Sequence, residues 1–212
     1  MLPGGVAVKI YDITRPLQAS LAVWPGDTPY EFALVSRISA GETVNVGAVT
    51  MSVHAGTHAD APFHFQEGGP TMDAMMLPPY IGPALVMDAQ GKERIRREDI
   101  PAARLRRAPR LLLKTNAWAD PTRFPDWIPT LEADVAEYLG ELGVLLVGVD
   151  VPSVDRLDSQ ELPVHHALAA NGIAILESLW LAEAPAGEYE LLALPLKLVG
   201  ADGSPVRAIL RA

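Results

Sequence analysis

Three of the chain's five histidines fall within eleven residues, His54-Ala-Gly-Thr-His58-Ala-Asp60-Ala-Pro62-Phe-His64, with Asp60 among them. The other two, His165 and His166, are adjacent to each other. Histidine is the commonest protein ligand for zinc, copper, iron and nickel. A carboxylate beside imidazoles adds an oxygen donor and a negative charge that offsets a cation. Such a concentration of donors in a histidine-poor chain points to a metal site.

The spacing sets conditions on the backbone. Positions 54, 58, 60 and 64 would share one face of a straight strand. Such a strand would separate residues 54 and 58 by ~13 Å, whereas two ligand atoms on one zinc lie within ~4 Å of each other. The chain must bend between them, and Gly56, with no Cβ, is where it can. Gly56, Thr57 and Pro62 argue against a helix. The expected arrangement is a strand end passing into a kinked loop. His54 and His58 are then nitrogen ligands, and Asp60 is an oxygen ligand able to bridge two metals. His64, beyond the stiffening Pro62, is either a fourth ligand or a free acid–base group. Neighbouring residues on a helix point ~100° apart, so at most one of His165 and His166 faces a metal.

Alternation and turn signals outline the elements that hold these residues. Strands are expected at Val6–Ile13, Ser20–Trp24, Phe32–Ser39, Val44–Val53, Ile81–Asp88, Arg110–Lys114, Val144–Asp150, Ile173–Leu176, Leu191–Val199 and Val206–Leu210. The histidine cluster follows the fourth of these. A helical turn and loop is expected after Pro70, and a short segment over Arg96–Ile100 ends at Pro101. Helices are expected at Thr130–Leu142, with Thr130 as N-cap and Gly143 as C-cap, and at Pro163–Ala170, closed by Asn171-Gly172. A turn separates the last two strands at Gly200–Pro205. The pattern is a mixed α/β single domain over residues 1–212.

Composition excludes several classes. The 212 residues are 49% hydrophobic and 20% charged, which suits a globular chain. There are no cysteines, so disulfides, cysteine-based zinc sites, iron–sulfur clusters and thiol nucleophiles are all ruled out. A net charge of −9 offers no basic footprint for nucleic acid. The basic run Lys92–Arg110 is interleaved with Glu93, Glu98 and Asp99 and reads as a solvated face. No apolar run reaches the ~18–20 residues of a membrane span. The Met-Leu-Pro-Gly-Gly start has no signal-peptide pattern. A cytoplasmic protein without membrane or nucleic-acid partners is the default expectation. Ser153 lacks the Gly-x-Ser-x-Gly setting of a serine hydrolase.

The motif His54-x-Gly-Thr-His58-x-Asp60-x-Pro62-x-His64-Phe65 resembles the signature of the cyclase family of metal-dependent hydrolases. Asp12-Ile13-Thr14, Val23–Pro29, Asp150-Val-Pro-Ser-Val-Asp155, Leu162-Pro-Val-His165-His166 and Leu194-Pro-Leu-Lys-Leu are similar to its kynurenine formamidase branch, so the resemblance spans essentially the whole chain. It implies a swivelling β/β/α fold, a mixed sheet with flanking helices, and a homodimer. It also implies a site for two Zn²⁺ ions per subunit, with Mn²⁺ as an alternative. His54, His58 and Asp60 match the ligands of one metal. Glu177, at the end of a strand, matches a further ligand, and the family spacing of twelve positions before it selects His165. Glu183, Glu188 and Glu190 read as surface residues.

The implied reaction is hydrolysis of N-formyl-L-kynurenine to L-kynurenine and formate, a step of tryptophan degradation. Zinc-activated water attacks the formyl carbon, and His64 matches the acid–base residue. Trp24, before the Pro25-Gly26-Asp27 turn, is expected against the substrate ring. From composition alone it serves equally as a core or interface tryptophan. Trp118, Phe124 and Trp127 lie in a Pro-rich loop that could also line a pocket. The competing readings are a cyclase-family hydrolase of another aryl or cyclic amide, and a non-catalytic metal-binding protein.

Overall fold

The computed structural model describes residues 8–212. Val6 and Ala7 of the first expected strand, and the Met-Leu-Pro-Gly-Gly start, lie outside the described residues. In chain order the strands are β1 (Ile10–Asp12), β2 (Glu31–Ser36), β3 (Val46–Thr50), β4 (His58–Asp60), β5 (Ile81–Asp88), β6 (Arg94–Ile95) and β7 (Arg110–Lys114). They continue as β8 (Thr130–Leu131), β9 (Leu146–Val149), β10 (Ala174–Glu177), β11 (Gly187–Leu192), β12 (Gly203–Pro205) and β13 (Ile209–Arg211). The α-helices are α1 (Ala102–Leu105), α2 (Ala133–Glu141) and α3 (Pro163–Ala170). The fold is α/β, as expected.

Nine strands form one mixed sheet in the order β1-β13-β11-β5-β7-β9-β10-β4-β12. Its centre, β5-β7-β9-β10, is parallel, and both flanks are antiparallel. Alternation within the central strands divides the core in two. Leu85, Met87, Leu111, Leu113, Val147, Val149 and Ile175 face a layer shared with Val135 and Leu139 of α2 and Leu168 of α3. Ala84, Val86, Leu112, Leu146 and Leu176 face the other layer. There they meet Ala59 from one flank of the sheet and Leu191 and Leu210 from the opposite flank. The sheet therefore curls over its own second core. Burial on both faces explains why its central strands read as continuous apolar runs.

Several expected elements differ. Ser20–Trp24 is not a strand; it is irregular chain ending in a turn in which Asp27 N donates to Trp24 O at 2.9 Å. Thr130 is not a helix N-cap, since it sits in β8, paired in parallel with Arg94 of β6, and α2 begins only at Ala133. Gly143 does close α2: it has φ +74°, and Val144 N donates to Leu139 O at 3.0 Å, as in a Schellman turn. The stretch Gly200–Pro205, read as a turn, contains β12, and most of Leu191–Val199 is irregular. Edge strands of three residues carry too little alternation to be distinguished from turns. Strands β2 and β3 form a separate two-stranded antiparallel sheet that exposes Phe32, Val35, Val46 and Val49. Among the described residues no helix is long and apolar enough to cross a membrane.

Candidate metal centre

The bend required between His54 and His58 is a turn before β4. Gly56 adopts φ +67°, and a Cβ there would meet Leu17 Cδ2 at 2.9 Å. The order differs from the expected one: β3 ends at Thr50, the kink comes first, and His58 and Asp60 lie on a strand of their own. These two residues, two apart on β4, share one face. Strand β10 runs antiparallel beside β4 with Glu177 directly opposite His58. Directly opposed residues point to the same side. Alternation and register together bring His58, Asp60 and Glu177 onto one patch of the sheet.

Helix α3 brings His165 over that patch. His165 is buried and His166 is exposed. Asp155 sets the orientation, its carboxylate accepting from Val164 N at 3.0 Å, His165 N at 3.0 Å and His165 Nδ1 at 2.7 Å. His165 Nε2 then faces Asp60 Oδ2 at 3.5 Å and Glu177 Oε1 at 3.4 Å. His58 is oriented the same way, with Nδ1 donating to Gly56 O at 2.8 Å. Its Nε2 lies 3.3 Å from Asp60 Oδ1 and 3.5 Å from Glu177 Oε2. His54 Nδ1 is 3.1 Å from Asp60 Oδ1, and its Nε2 is 3.0 Å from Asp202 Oδ2. Glu177 Oε1 also accepts from Val154 N at 2.8 Å.

Two donor groups result, His54–His58–Asp60 and Asp60–His165–Glu177, each with its ligand atoms within 4.8 Å of one another. They share Asp60. Its Oδ2 is buried and has no hydrogen-bond partner, which is costly for a carboxylate oxygen. Imidazole nitrogens with carboxylate oxygens suit a divalent cation. The residues present therefore fit a metal. Both carboxylates are buried, and two such charges side by side need a counter-charge.

In the metal-free protein that counter-charge comes from protons. Burial opposes charging His58, but hydrogen bonds to Asp60 and Glu177 outweigh it and raise its pKa to about 10. Burial likewise opposes charging His165, yet Asp155, Asp60 and Glu177 push it up to about 12. Burial disfavours the Asp60 carboxylate too, but His165, His54 and His58 hold it well below the usual range. Glu177 is also lowered, against burial and the charge of Asp60, by His165 and His58.

His64 stands apart. It is about one-third exposed, its ring centroid is 4.0 Å from that of His54, and its Nδ1 is 3.5 Å from Asp202 Oδ2. Burial lowers its pKa, with Asp60 acting in the opposite sense. A third donor group, His54–His64–Asp202, joins it to the cluster.

A cavity of about 260 Å³ opens over His58, His64, His165 and Glu177, walled by Trp24, Trp118 and Phe124. Phe124 packs edge-on to Trp24 at 5.3 Å, and Trp118 lies 6.2 Å from Phe124. Trp127 is exposed and lies away from this wall. Three contributors are not evident in the sequence. Asp155 stands there only as the last residue of the segment Asp150–Asp155 that the resemblance covers. Asp202 falls in the stretch Gly200–Pro205, whose composition is that of a turn. Gly203 is next to it, and a Cβ there would fall 2.7 Å from His54 Cε1. None carries a local signal, because each acts across a strand pair or a loop.

Residues 11–156 match a family model described as "Putative cyclase". A kynurenine formamidase of Bacillus cereus is 46% identical over 94% of this chain and 96% of its own. That of Bacillus anthracis is 46% identical over 96% and 97%. A solved structure titled as a potential metal-dependent hydrolase with cyclase activity superposes with a TM-score of 0.83 at 30% identity, covering 97% of this chain and 98% of that one. An isatin hydrolase shares the fold at a TM-score of 0.80 and 22% identity, over 97% and 92%. The chain belongs to the cyclase family of metal-dependent hydrolases, alongside these kynurenine formamidases.

Proposed function

We propose that this chain, as one domain over residues 1–212, is an arylformamidase that hydrolyses N-formyl-L-kynurenine to L-kynurenine and formate. The observation that carries the reading is the pair of donor groups sharing Asp60 beneath an aromatic-walled cavity. The curated relatives at 46% identity bear that enzyme's name. In this reading His54, His58 and Asp60 hold one Zn²⁺, and Asp60, His165 and Glu177 hold a second, with Mn²⁺ the alternative. The metals supply Lewis-acid charge, which acidifies water and polarises an amide carbonyl.

The remaining work falls to side chains. Trp24 presents its ring to the aryl group of the substrate. Trp118 and Phe124 extend that surface and exclude water from it. His64 holds its Nδ1 toward Asp202, leaving Nε2 to accept a proton from the attacking water. It returns that proton to the aniline nitrogen as the C–N bond breaks. Its lowered pKa keeps it neutral, and able to accept, near neutral pH.

A homodimer is part of the reading. The hairpin β2–β3 exposes Phe32, Val35, Val46 and Val49, and an isolated hairpin is marginal in water, so a second copy would cover it. Strands β1 and β13, from the two ends of the chain, pair in the sheet and support a single domain. A cytoplasmic location fits a chain without cysteines. The test is kynurenine release from N-formylkynurenine, followed by absorbance, with metal-loaded and chelator-treated protein. Turnover abolished by chelation and restored by zinc is expected. A metal-loaded protein that leaves this substrate intact while hydrolysing another cyclic or aryl amide would refute the assignment.

A further inference from the structure

Arg15 is the largest wholly buried side chain of the described residues, at 1% exposure. It lies behind the aromatic wall, outside the metal cluster. Its guanidinium carbon sits 4.0 Å from the ring centroid of Trp118 and 5.1 Å from that of Trp180. Its Nη2 donates to Trp118 O at 2.9 Å and Asp150 O at 2.8 Å. Burial lowers its pKa to about 10, opposed by the charge of Asp150, so it remains a cation at neutral pH. The Asp150 carboxylate is itself occupied by Thr115 N at 2.9 Å and Asn116 N at 2.8 Å.

A guanidinium buried without a paired carboxylate is expensive. Two indole faces and two carbonyls offset part of that cost, while Nε and Nη1 are buried without a hydrogen-bond partner. Trp118 is consequently gripped at three points: by its ring, by its carbonyl, and at Nε1, which donates to Arg123 O at 2.9 Å. Arg15 also reaches the other side of the site through its main chain. Arg15 N donates to Thr57 Oγ1 at 2.9 Å, and Thr57 Oγ1 donates to Ser178 O at 2.7 Å. Thr57 precedes His58, and Ser178 follows Glu177. One residue thus joins the aromatic wall to the two strands that bear the metal donors.

We propose that Arg15 is a positioning residue that sets the plane and distance of Trp118 relative to the metal centre, and so determines selectivity for aryl amides. Arg15 does not line the cavity over the metal donors and is in none of the donor groups. The proposal rests on the amide-hydrolase reading for its kinetic consequence, though not for its binding consequence. A fixed indole offers a preorganised face to a flat ring, whereas a loosened one must be ordered on binding. The effect belongs in aryl-group binding rather than in the chemical step.

The experiment compares wild type with Arg15→Met, Arg15→Lys, Trp118→Leu and the Arg15→Met/Trp118→Leu double variant. It reads the Kd of acetanilide, an aryl amide without a formyl group, on metal-loaded protein. It also reads KM and kcat for N-formylkynurenine and for N-methylformamide, which has no ring. Arg15→Met should weaken acetanilide and raise KM for the aryl substrate about tenfold, the scale of a desolvated cation–π contact. It should leave kcat within about twofold and the ringless substrate unaffected. Arg15→Lys should recover most of the loss. Arg15→Met should add nothing in the Trp118→Leu background. Equal losses on both substrates, or additive losses in the double variant, would overturn the proposal. If Arg15→Met does not fold, Arg15→Gln takes its place: a weakened acetanilide Kd in Arg15→Gln supports the proposal, and an unchanged Kd there beside a weakened one in Trp118→Leu overturns it. Absence of wild-type turnover would count against the formamidase reading alone, because the acetanilide Kd still tests the wall.

Discussion

Replacing Asp155 with asparagine should cost metal affinity while leaving the fold in place. Asp155 is about 98% buried and accepts three hydrogen bonds, two from the start of α3 and one from His165 Nδ1 at 2.7 Å. The last one orients the imidazole so that Nε2 faces Asp60 and Glu177. Asparagine keeps the shape and one acceptor oxygen, but it loses the charge and turns an N–H₂ group toward one of three donors. Outer-shell partners of this kind are worth roughly 10–100-fold in metal affinity, or about 1.4–2.8 kcal/mol. Asp155 also favours the protonated imidazole in the metal-free site, which partly masks the loss at neutral pH. The deficit should therefore grow as pH rises and proton competition fades. Competition titration against a chromophoric chelator at several pH values, beside thermal melting of the metal-free protein, would measure both effects. A variant with unchanged zinc affinity at every pH and only a lower melting temperature would show that Asp155 merely supports the helix, and the orientation argument would fail.

Other consequences follow from the same geometry. His64→Ala should retain its metal while turnover falls by about 10²–10⁴, the scale of a lost acid–base group; loss of zinc in parallel, by metal analysis, would instead make His64 a ligand. Gly203→Ala should displace His54 and weaken metal binding, since its Cβ would lie 2.7 Å from His54 Cε1 and 3.2 Å from Ala59 O; calorimetric titration with zinc reads this directly. Because His58 and His165 hold protons to about pH 10 and about pH 12 without metal, zinc uptake at neutral pH should release protons, seen as a dependence of the binding enthalpy on buffer ionisation. For the chelated protein, the raised histidine pKa values give stability that is whole below ~6.5 and lost as pH rises through about 10 and then about 12. The depressed carboxylates Asp60 and Glu177 give stability that is present above ~4.5 and lost as pH falls. Its melting temperature should peak between about pH 4.5 and 6.5, and a peak well above this window would contradict the assigned charge states.

Much of this was legible in the chain itself. The donors of the motif lie within eleven residues, so their types, their even spacing and the glycine that must bend between them are local facts. The central strands could be read for the same reason: burial on both faces makes Arg110–Lys114 and Val144–Asp150 plainly apolar. The choice between His165 and His166 was not a local fact. Helical periodicity allows only one to point inward, and it is the docking of α3 under Asp155 that turns His165 toward Asp60. From the sequence, Glu177 is named by the family resemblance alone; what brings it to the site is the register of β10 on β4, which composition and periodicity do not encode. Asp202 and Gly203 come to His54 on a three-residue edge strand that looked like a turn. The sequence alone determined which chemical groups are present and where the backbone must bend. Strand register and helix packing decided which of them meet, because the contacts of β4 with β10 and with α3 join residues more than a hundred positions apart and depend on burial that forms only when the sheet closes over its core.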